Sequence, residues 1–458
     1  MTAIAPSPTL AETLRSRRER LAERINFPVM LWSGRPRARN FPANTYPFRA
    51  NSHFLYFAGM SLTNAVIRLD GKRLTLFMDD STVEDALWHG PMPTCVEVAN
   101  IIGAEAALPM SELPKAAQNV ATIPVQDGIT VAEQMTLRTT VQPAQDKALA
   151  EAIVAVRLTH DAEAITEIRK AAAVSTWAHR AGMAATAVGQ TEAAVRAVME
   201  SVIVATGMTC AYNSIVTIQG EVLHNERYDH VLQPGDLVLA DVGAEAASGW
   251  ASDITRTWPV TGQFSSTQRD IYEVVLAAHD ACIAAARPGV EYRELHFLAC
   301  RTLATGLAEL GILKGDPDGL VEQDAHALFF PHGVGHLLGL DVHDMEDLGD
   351  LAGYASGRSR SDRFGLAFLR LDRPLQAGMA VTIEPGFYQV PGILQDAVRR
   401  EAYSDCVDWD RLAQFQDVRG VRIEDDIFIT AEGCEILTGE LSSDVDTIET
   451  AVKSQKVM

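Results

Sequence analysis

The chain has 458 residues, of which 47% are hydrophobic and 22% charged, with a formal net charge of −21 at pH 7. This is the composition of a soluble globular protein with room for two to three domains; it excludes intrinsic disorder, collagen and a small disulfide scaffold. A surface this acidic repels phosphate backbones and anionic membranes, so neither nucleic acid nor a membrane is expected as a partner.

At the N-terminus, MTAIAPSPTLAETLRSRRERLAERI interleaves its arginines with Glu12, Glu19 and Glu23, which predicts a charged helix rather than a transit peptide. No apolar run approaches the roughly 18 residues of a membrane helix. The six cysteines are dispersed without a CxxC pair, the usage of a reducing compartment, and the expected location is cytoplasmic. Residues 26–80 read as strands, with NFPVMLW, NAVIRLD and KRLTLFMDD as short apolar runs between turn residues. Residues 83–155 mix helical and strand patterns punctuated by prolines. The first 157 residues are therefore expected to form an α/β domain.

A change comes near residue 158. Thr159 and Asp161 are candidate caps for a helix through AEAITEIRKAAAVSTWAHRAGMAA, with Ile165, Ile168 and Ala172 on one face. TEAAVRAVMESVIVATG predicts a second helix. LVLADVGAEAASGWASDITRTWPV predicts a long hairpin with Gly249 near its tip. SSTQRDIYEVVLAAHDACIAAAR and YRELHFLACRTLATGLAELG predict helices, and MAVTIEPGFYQV and GVRIEDDIFIT late strands. Residues 346–373 read as an insertion or loop. The second domain is placed at 158–440, followed by a peripheral tail at 441–458.

The chemistry concentrates in residues 224–424. Asp241 and Asp253 stand on the two sides of the predicted hairpin. His332, His336 and His343 fall within PHGVGHLLGLDVHD, Glu384 within TIEPG and Glu424 within GVRIEDD. The acids interrupt apolar strands, where a lone carboxylate costs several kcal/mol unless paired or metal-bound. Any one of them alone reads as a salt bridge or a strand end. Four together, with histidines bracketed by glycines, read as metal ligands. Four carboxylates and an imidazole form an oxygen-rich set suited to Mn and, less specifically, to Co, Fe or Zn. Their charge of about −4 exceeds that of one divalent ion and matches two ions sharing carboxylates.

These residues resemble the pita-bread metallopeptidases, and among them the aminopeptidase P and prolidase group. The matching stretches are VLHN, LADVGAE, ASDITRTWPV, PHGVGHLLGLDVHD, TIEPGFY and GVRIEDD. YPFRANSHFLYFAG and EDALWHGPMP resemble the group's creatinase-like N-terminal domain. The resemblance implies an α/β fold with a creatinase-like N-terminal domain and a C-terminal pita-bread domain. It implies two divalent ions held by Asp241, Asp253, His336, Glu384 and Glu424, with Asp253 and Glu424 bridging. It makes Glu384 the proton shuttle, His224, His332 and His343 the substrate-facing histidines, and Arg422 the group that orients the carboxylates. Taken singly, His224 reads as a loop histidine, His343 as a helix-end histidine and Arg422 as a sheet salt bridge. His53, His89, His160, His179, His230, His279, His296 and His326 lack this context and read as structural. Asp241 and Asp253 are separated by one residue more than is usual in the family. Ala247, Ser248 and Gly249 suit a turn, so the extra residue is expected at the hairpin tip, which leaves both acids on one face.

The implied activity is hydrolysis of the bond between an N-terminal residue and a following proline by a hydroxide activated at two metals. That bond has no N–H for a peptidase to grip. The group also implies a homodimer or homotetramer. Aminopeptidase P trims longer peptides, whereas prolidase cleaves only Xaa-Pro dipeptides and must grip a free carboxylate. Arg370, in FLRLDR, matches the gripping arginine of prolidases and equally reads as a solvated loop arginine. ASDITRTWPV and the N-terminal motifs favour aminopeptidase P. A creatinase-like C–N hydrolase and a non-catalytic peptidase-like binding module are the remaining alternatives, disfavoured by the complete ligand set.

Overall fold

The computed structural model describes residues 9–454. The first eight residues of the predicted N-terminal helix and the last four of the tail lie outside them. The chain divides into two compact units, Met1–Leu158 and Thr159–Met458.

The first unit is built on a five-stranded mixed sheet, in the order Ala106–Leu108, Arg73–Phe77, Val66–Asp70, Val29–Trp32, Ala121–Thr122. The three inner strands are antiparallel and the two edge strands join in parallel. Met30, Trp32, Val66 and Phe77 pack with Leu113, Val120 and Val125 in its core. The helix Leu10–Ala22 begins at a capping box between Thr9 and Glu12. One element departs from the strand reading of residues 26–80. Ser52–Ala58 is a helix buried on every side, opened by Asn51, which accepts from the His53 N–H, and closed by the left-handed Gly59. An apolar run of seven has no helical or strand periodicity to read, so its caps decide.

The second unit carries the long helices Ala162–Ala185, Glu192–Ala205, Ser266–Ala285 and Tyr292–Glu309 around several short sheets. Asp161, not Thr159, caps the first of these, its side chain accepting from the Ala164 N–H. Two antiparallel ribbons carry the acidic residues. In one, Leu237–Asp241 pairs with Thr255–Pro259, Asp241 lying opposite Thr255. The same register continues through the Ser252 N–H bonded to Ala244 O, the Glu245–Ala251 bridge and the Ala246 N–H bonded to Trp250 O. The turn is thus Ala247–Gly249, with Gly249 at φ +91°. The extra residue sits at the tip, as expected, and Asp241 and Asp253 face the same side.

In the other ribbon, Ala380–Ile383 pairs with Asp425–Ile429 and Gly386–Tyr388 with Gly420–Arg422. One register runs through both halves, so Glu384 stands opposite Glu424 at the interruption between them. The two ribbons meet through an antiparallel bridge between Thr255 and Glu424.

The segment after residue 440, expected to be a peripheral tail, contains the helix Val445–Ser454, which contacts Ala162–Ala185 and Thr255–Pro259. Leu441, Val445, Ile448 and Val452 are buried. Three of these recur at three- and four-residue spacing, a stripe hidden in a stretch that reads as polar overall. Ile448→Ala is therefore expected to destabilise the chain by about 2–5 kcal/mol, the range for a truncated core aliphatic. Denaturant unfolding checks this; an unchanged midpoint would show the helix to be dispensable.

Candidate metal centre

Four carboxylates and a histidine converge where the two ribbons meet, on the wall of a cavity of about 620 Å³. Asp241 ends its strand, and Asp253 lies diagonally across the ribbon from it. Tyr212 ties the pair together, its hydroxyl reaching Oδ1 of Asp241 at 2.6 Å and Oδ1 of Asp253. Glu384 and Glu424 come from the second ribbon. His336 comes from an irregular segment laid along Ala380–Ile383, where the Thr382 N–H bonds His336 O and the Glu384 N–H bonds Val334 O. Gly335 permits this approach: a Cβ there would lie 2.2 Å from the Tyr292 hydroxyl and 2.3 Å from Thr382 O.

The geometry sets the histidine's tautomer. Nδ1 of His336 lies 3.0 Å from Leu337 O, an acceptor, so Nδ1 carries the proton and Nε2 presents its lone pair. Nε2 is 3.5 Å from Asp253 Oδ2, 3.6 Å from Glu384 Oε1 and 3.9 Å from Glu424 Oε1. These separations are too long for hydrogen bonds and suit donor atoms that share a cation. Ligand atoms of Asp253, His336 and Glu424 all lie within 4.8 Å of one another.

The electrostatics demand a counter-charge. Burial pushes Asp253 up to about 8, with Asp241 adding to the rise, and pushes Glu384 up to about 7. Glu424 is driven well above the carboxylate range by burial and then by Asp253 and Glu384. Its Oε1 is buried with no hydrogen-bond partner among the described residues. Arg422 offsets part of the charge by ion-pairing with Asp241. The donor set, the orphaned carboxylate oxygen and the crowded negative charge all fit divalent metal ions.

A second layer holds these groups. The Thr255 hydroxyl donates to Glu424 Oε2 at 2.7 Å and accepts from Arg422 Nε at 3.0 Å. Nη1 of Arg422 donates to the Tyr388 hydroxyl at 3.1 Å, which lies 2.9 Å from His332 Nε2. Nδ1 of His332 is 2.8 Å from Gly333 O, so its Nε2 accepts from Tyr388. Burial and then Arg422 lower the His332 imidazole to about 3, which leaves it neutral. The His343 ring meets that of His336 edge-on at 4.2 Å, and its Nδ1 is 2.7 Å from Glu346 Oε2.

His224, His332 and His343 line the same cavity as the acids, as does Arg370. All ten residues singled out in the sequence thus border one space. Arg370 is already ion-paired there with Glu346. Tyr212, Thr255, Tyr388 and Glu346 carry no comparable sequence signal. The alternating threonines of TRT were one available cue, since Thr255 and Thr257 both face Arg422. Arg360 and Phe368 also line the cavity, so the 346–373 segment is part of its wall.

Comparison with known proteins identifies the family. Residues 166–431 match the profile of metallopeptidase family M24, and residues 14–125 match the aminopeptidase P N-terminal domain. A probable Xaa-Pro aminopeptidase of Phaeosphaeria nodorum is 34% identical over 418 residues, 89% of this chain and 88% of that protein. The human Xaa-Pro dipeptidase is 31% identical over 447 residues, 92% and 89% of the two chains. Among solved structures, an aminopeptidase of Pseudomonas aeruginosa superposes with a TM-score of 0.82 at 29% identity, covering 99% of this chain and 100% of the other. Escherichia coli aminopeptidase P superposes with a TM-score of 0.83 at 27% identity, with the same coverage. The two-domain α/β fold, the matched profiles and these relatives agree: the chain belongs to metallopeptidase family M24, in its Xaa-Pro aminopeptidase group.

Proposed function

We propose that this enzyme releases the N-terminal residue from peptides whose second residue is proline, using two divalent ions held by Asp241, Asp253, His336, Glu384 and Glu424. The observation that carries this reading is the buried, unpartnered Glu424 Oε1 within a cluster of four acids and one correctly presented imidazole nitrogen. Asp253 and Glu424 would be the carboxylates shared between the ions, and manganese suits the oxygen-rich set. Bound there, the ions supply a water molecule acidified toward neutral pH and polarise the substrate carbonyl.

The protein's own groups do the rest. Glu384 borders the cavity, where its carboxylate can take a proton from the attacking water and return it to the departing prolyl nitrogen. His224, His332 and His343 line the cavity and face the substrate; the single N–H of neutral His332 goes to Gly333 O and that of His343 to Glu346, which leaves His224 to donate to the substrate carbonyl and its oxyanion. Arg422 and Tyr212 keep the acids in place. None of these contacts needs an N–H on the scissile nitrogen, which a prolyl bond does not have.

Arg370 favours a second reading. It borders the cavity, and a guanidinium there can pair bidentately with the free carboxylate of an Xaa-Pro dipeptide. That would make the enzyme a prolidase. Its ion pair with Glu346 must open first, which supports the aminopeptidase reading.

Three results are expected. Wild-type enzyme with Mn²⁺ cleaves Gly-Pro-Xaa peptides well, and Arg370→Ala changes this little; cleavage of Gly-Pro alone, lost by roughly ten- to a hundredfold in the variant, would establish the prolidase reading. Glu424→Ala binds fewer than two metals by elemental analysis, and retention of two ions with full activity would remove the ligand assignment. Tyr212→Phe binds Mn²⁺ about ten- to a hundredfold more weakly with its fold intact, because the hydroxyl set between the two aspartates is lost; unaltered affinity in a calorimetric titration would mean that the hydroxyl does not orient them.

A further inference from the structure

A second cluster of ligating side chains lies away from the acids. His296 and Cys300 sit four residues apart on one face of the helix Tyr292–Glu309, and His326 lies on the short helical turn Ala325–Leu328. All three are at most 2% exposed. One ligand atom from each falls within 4.8 Å of the other two. We propose that His296, Cys300 and His326 form a metal site distinct from the acid cluster, and that it holds one Cu⁺ ion.

The hydrogen bonding presents the right atoms. Nε2 of His296 lies 3.0 Å from Gly365 O. A carbonyl only accepts, so Nε2 carries the proton and Nδ1 offers a lone pair; Cys300 Sγ lies 4.0 Å from Nδ1 and 3.5 Å from Nε2. Neither ring nitrogen of His326 has a hydrogen-bond partner among the described residues. An imidazole buried with both nitrogens unsatisfied is costly, and a metal bond to one of them removes part of that cost. Phe330 packs against the His296 ring at 5.7 Å, which keeps the surroundings apolar.

Charge and coordination number select the ion. A thiolate and two neutral imidazoles carry −1, so Cu⁺ gives a neutral complex, whereas Zn²⁺ or Mn²⁺ leaves a buried positive charge. Asp324, the acid beside His326, is held by Arg363 at 2.8 Å and supplies no free carboxylate. A soft thiolate and imidazole set suits Cu⁺, and three ligands satisfy it, whereas structural zinc takes four. The two sites therefore sort ions by hardness: oxygen donors at the catalytic cavity, sulfur and nitrogen here. Loading deprotonates the Cys300 thiol, and its proton leaves to solvent. The ion would also fasten the Gly365 turn to the helix, and with it the segment that brings Arg360, Phe368 and Arg370 to the cavity.

The test uses full-length protein with its acid site first saturated with Mn²⁺. The chain is equilibrated with buffered Cu⁺, and in parallel refolded from denaturant in the same buffer so that access is not limiting. Uptake of one tightly held Cu⁺ is expected, with copper-edge X-ray absorption reporting one sulfur and two imidazole nitrogens. Cys300→Ser and His326→Gln should each weaken uptake by more than about a hundredfold, beyond the loss typical of outer-layer partners. Cys282→Ser, at a buried thiol bonded to Leu295 O on the facing helix, should not. The wild-type spectrum does not depend on whether the variants fold. The assignment is overturned by no uptake in either preparation, by a copper shell without sulfur, by uptake that survives both ligand variants, or by four-coordinate Zn²⁺ binding in preference to Cu⁺.

Discussion

The catalytic half of this molecule is organised around crowded negative charge in a place nearly free of water. Asp253, His336 and Glu424 are each at most 5% exposed, and Asp241 and Glu384 close the group on its cavity side. Carboxylates in such a setting either protonate or acquire cations. Arg422 supplies one fixed positive charge, at Asp241, and protons or bound cations must offset the rest. The raised carboxyls of Asp253, Glu384 and Glu424 express the same constraint: the cluster is costly empty and stable when loaded.

Backbone register delivers the acids to one point. Side chains alternate along a strand, so two acids on opposite strands share a face only if the pairing is unbroken between them. It is unbroken from Leu237 opposite Pro259 to the Ala246–Trp250 hydrogen bond, and it brackets Glu384 and Glu424 in the second ribbon. Alternation also sorts the three consecutive acids of IEDD. Glu424 joins the cluster. Asp425 turns to Arg256 at 2.8 Å and to His279 at 3.0 Å, and the Arg256 charge with the His279 contact holds it below the usual carboxylate range despite its burial. Asp426 accepts from the Ser252 hydroxyl and the Asp253 N–H, bracing the first ribbon against the second.

A hydrogen-bonded chain running from Asp241 directly, and from Glu424 by way of Thr255, through Arg422 and Tyr388 to His332 links the acids to a histidine on the cavity wall. Each link has one donor direction, because arginine only donates and the Gly333 carbonyl only accepts. The chain therefore fixes a neutral His332 with a defined tautomer before any substrate arrives.

The sequence by itself determined the chemistry. Acids interrupting apolar strands and glycines around histidines picked out Asp241, Asp253, His332, His336, Glu384 and Glu424, a turn triplet placed the extra hairpin residue at Ala247–Gly249, and the family resemblance added Arg422. Those signals are local: a charged side chain in a buried strand and a turn triplet are visible at short range. Only the tertiary structure decided the rest. Ser52–Ala58 has no periodicity, and its helical state rests on Asn51 and Gly59. The stripe through Val445, Ile448 and Val452 becomes core only because Ala162–Ala185 and Thr255–Pro259 lie against it. Tyr212 and Thr255 become site residues through partners 29 to 169 positions away in sequence. His296 and His326 read singly as core histidines, and their meeting with Cys300 depends on how a turn packs against a helix. Contacts of that range are set by packing, which residue type and local spacing do not encode.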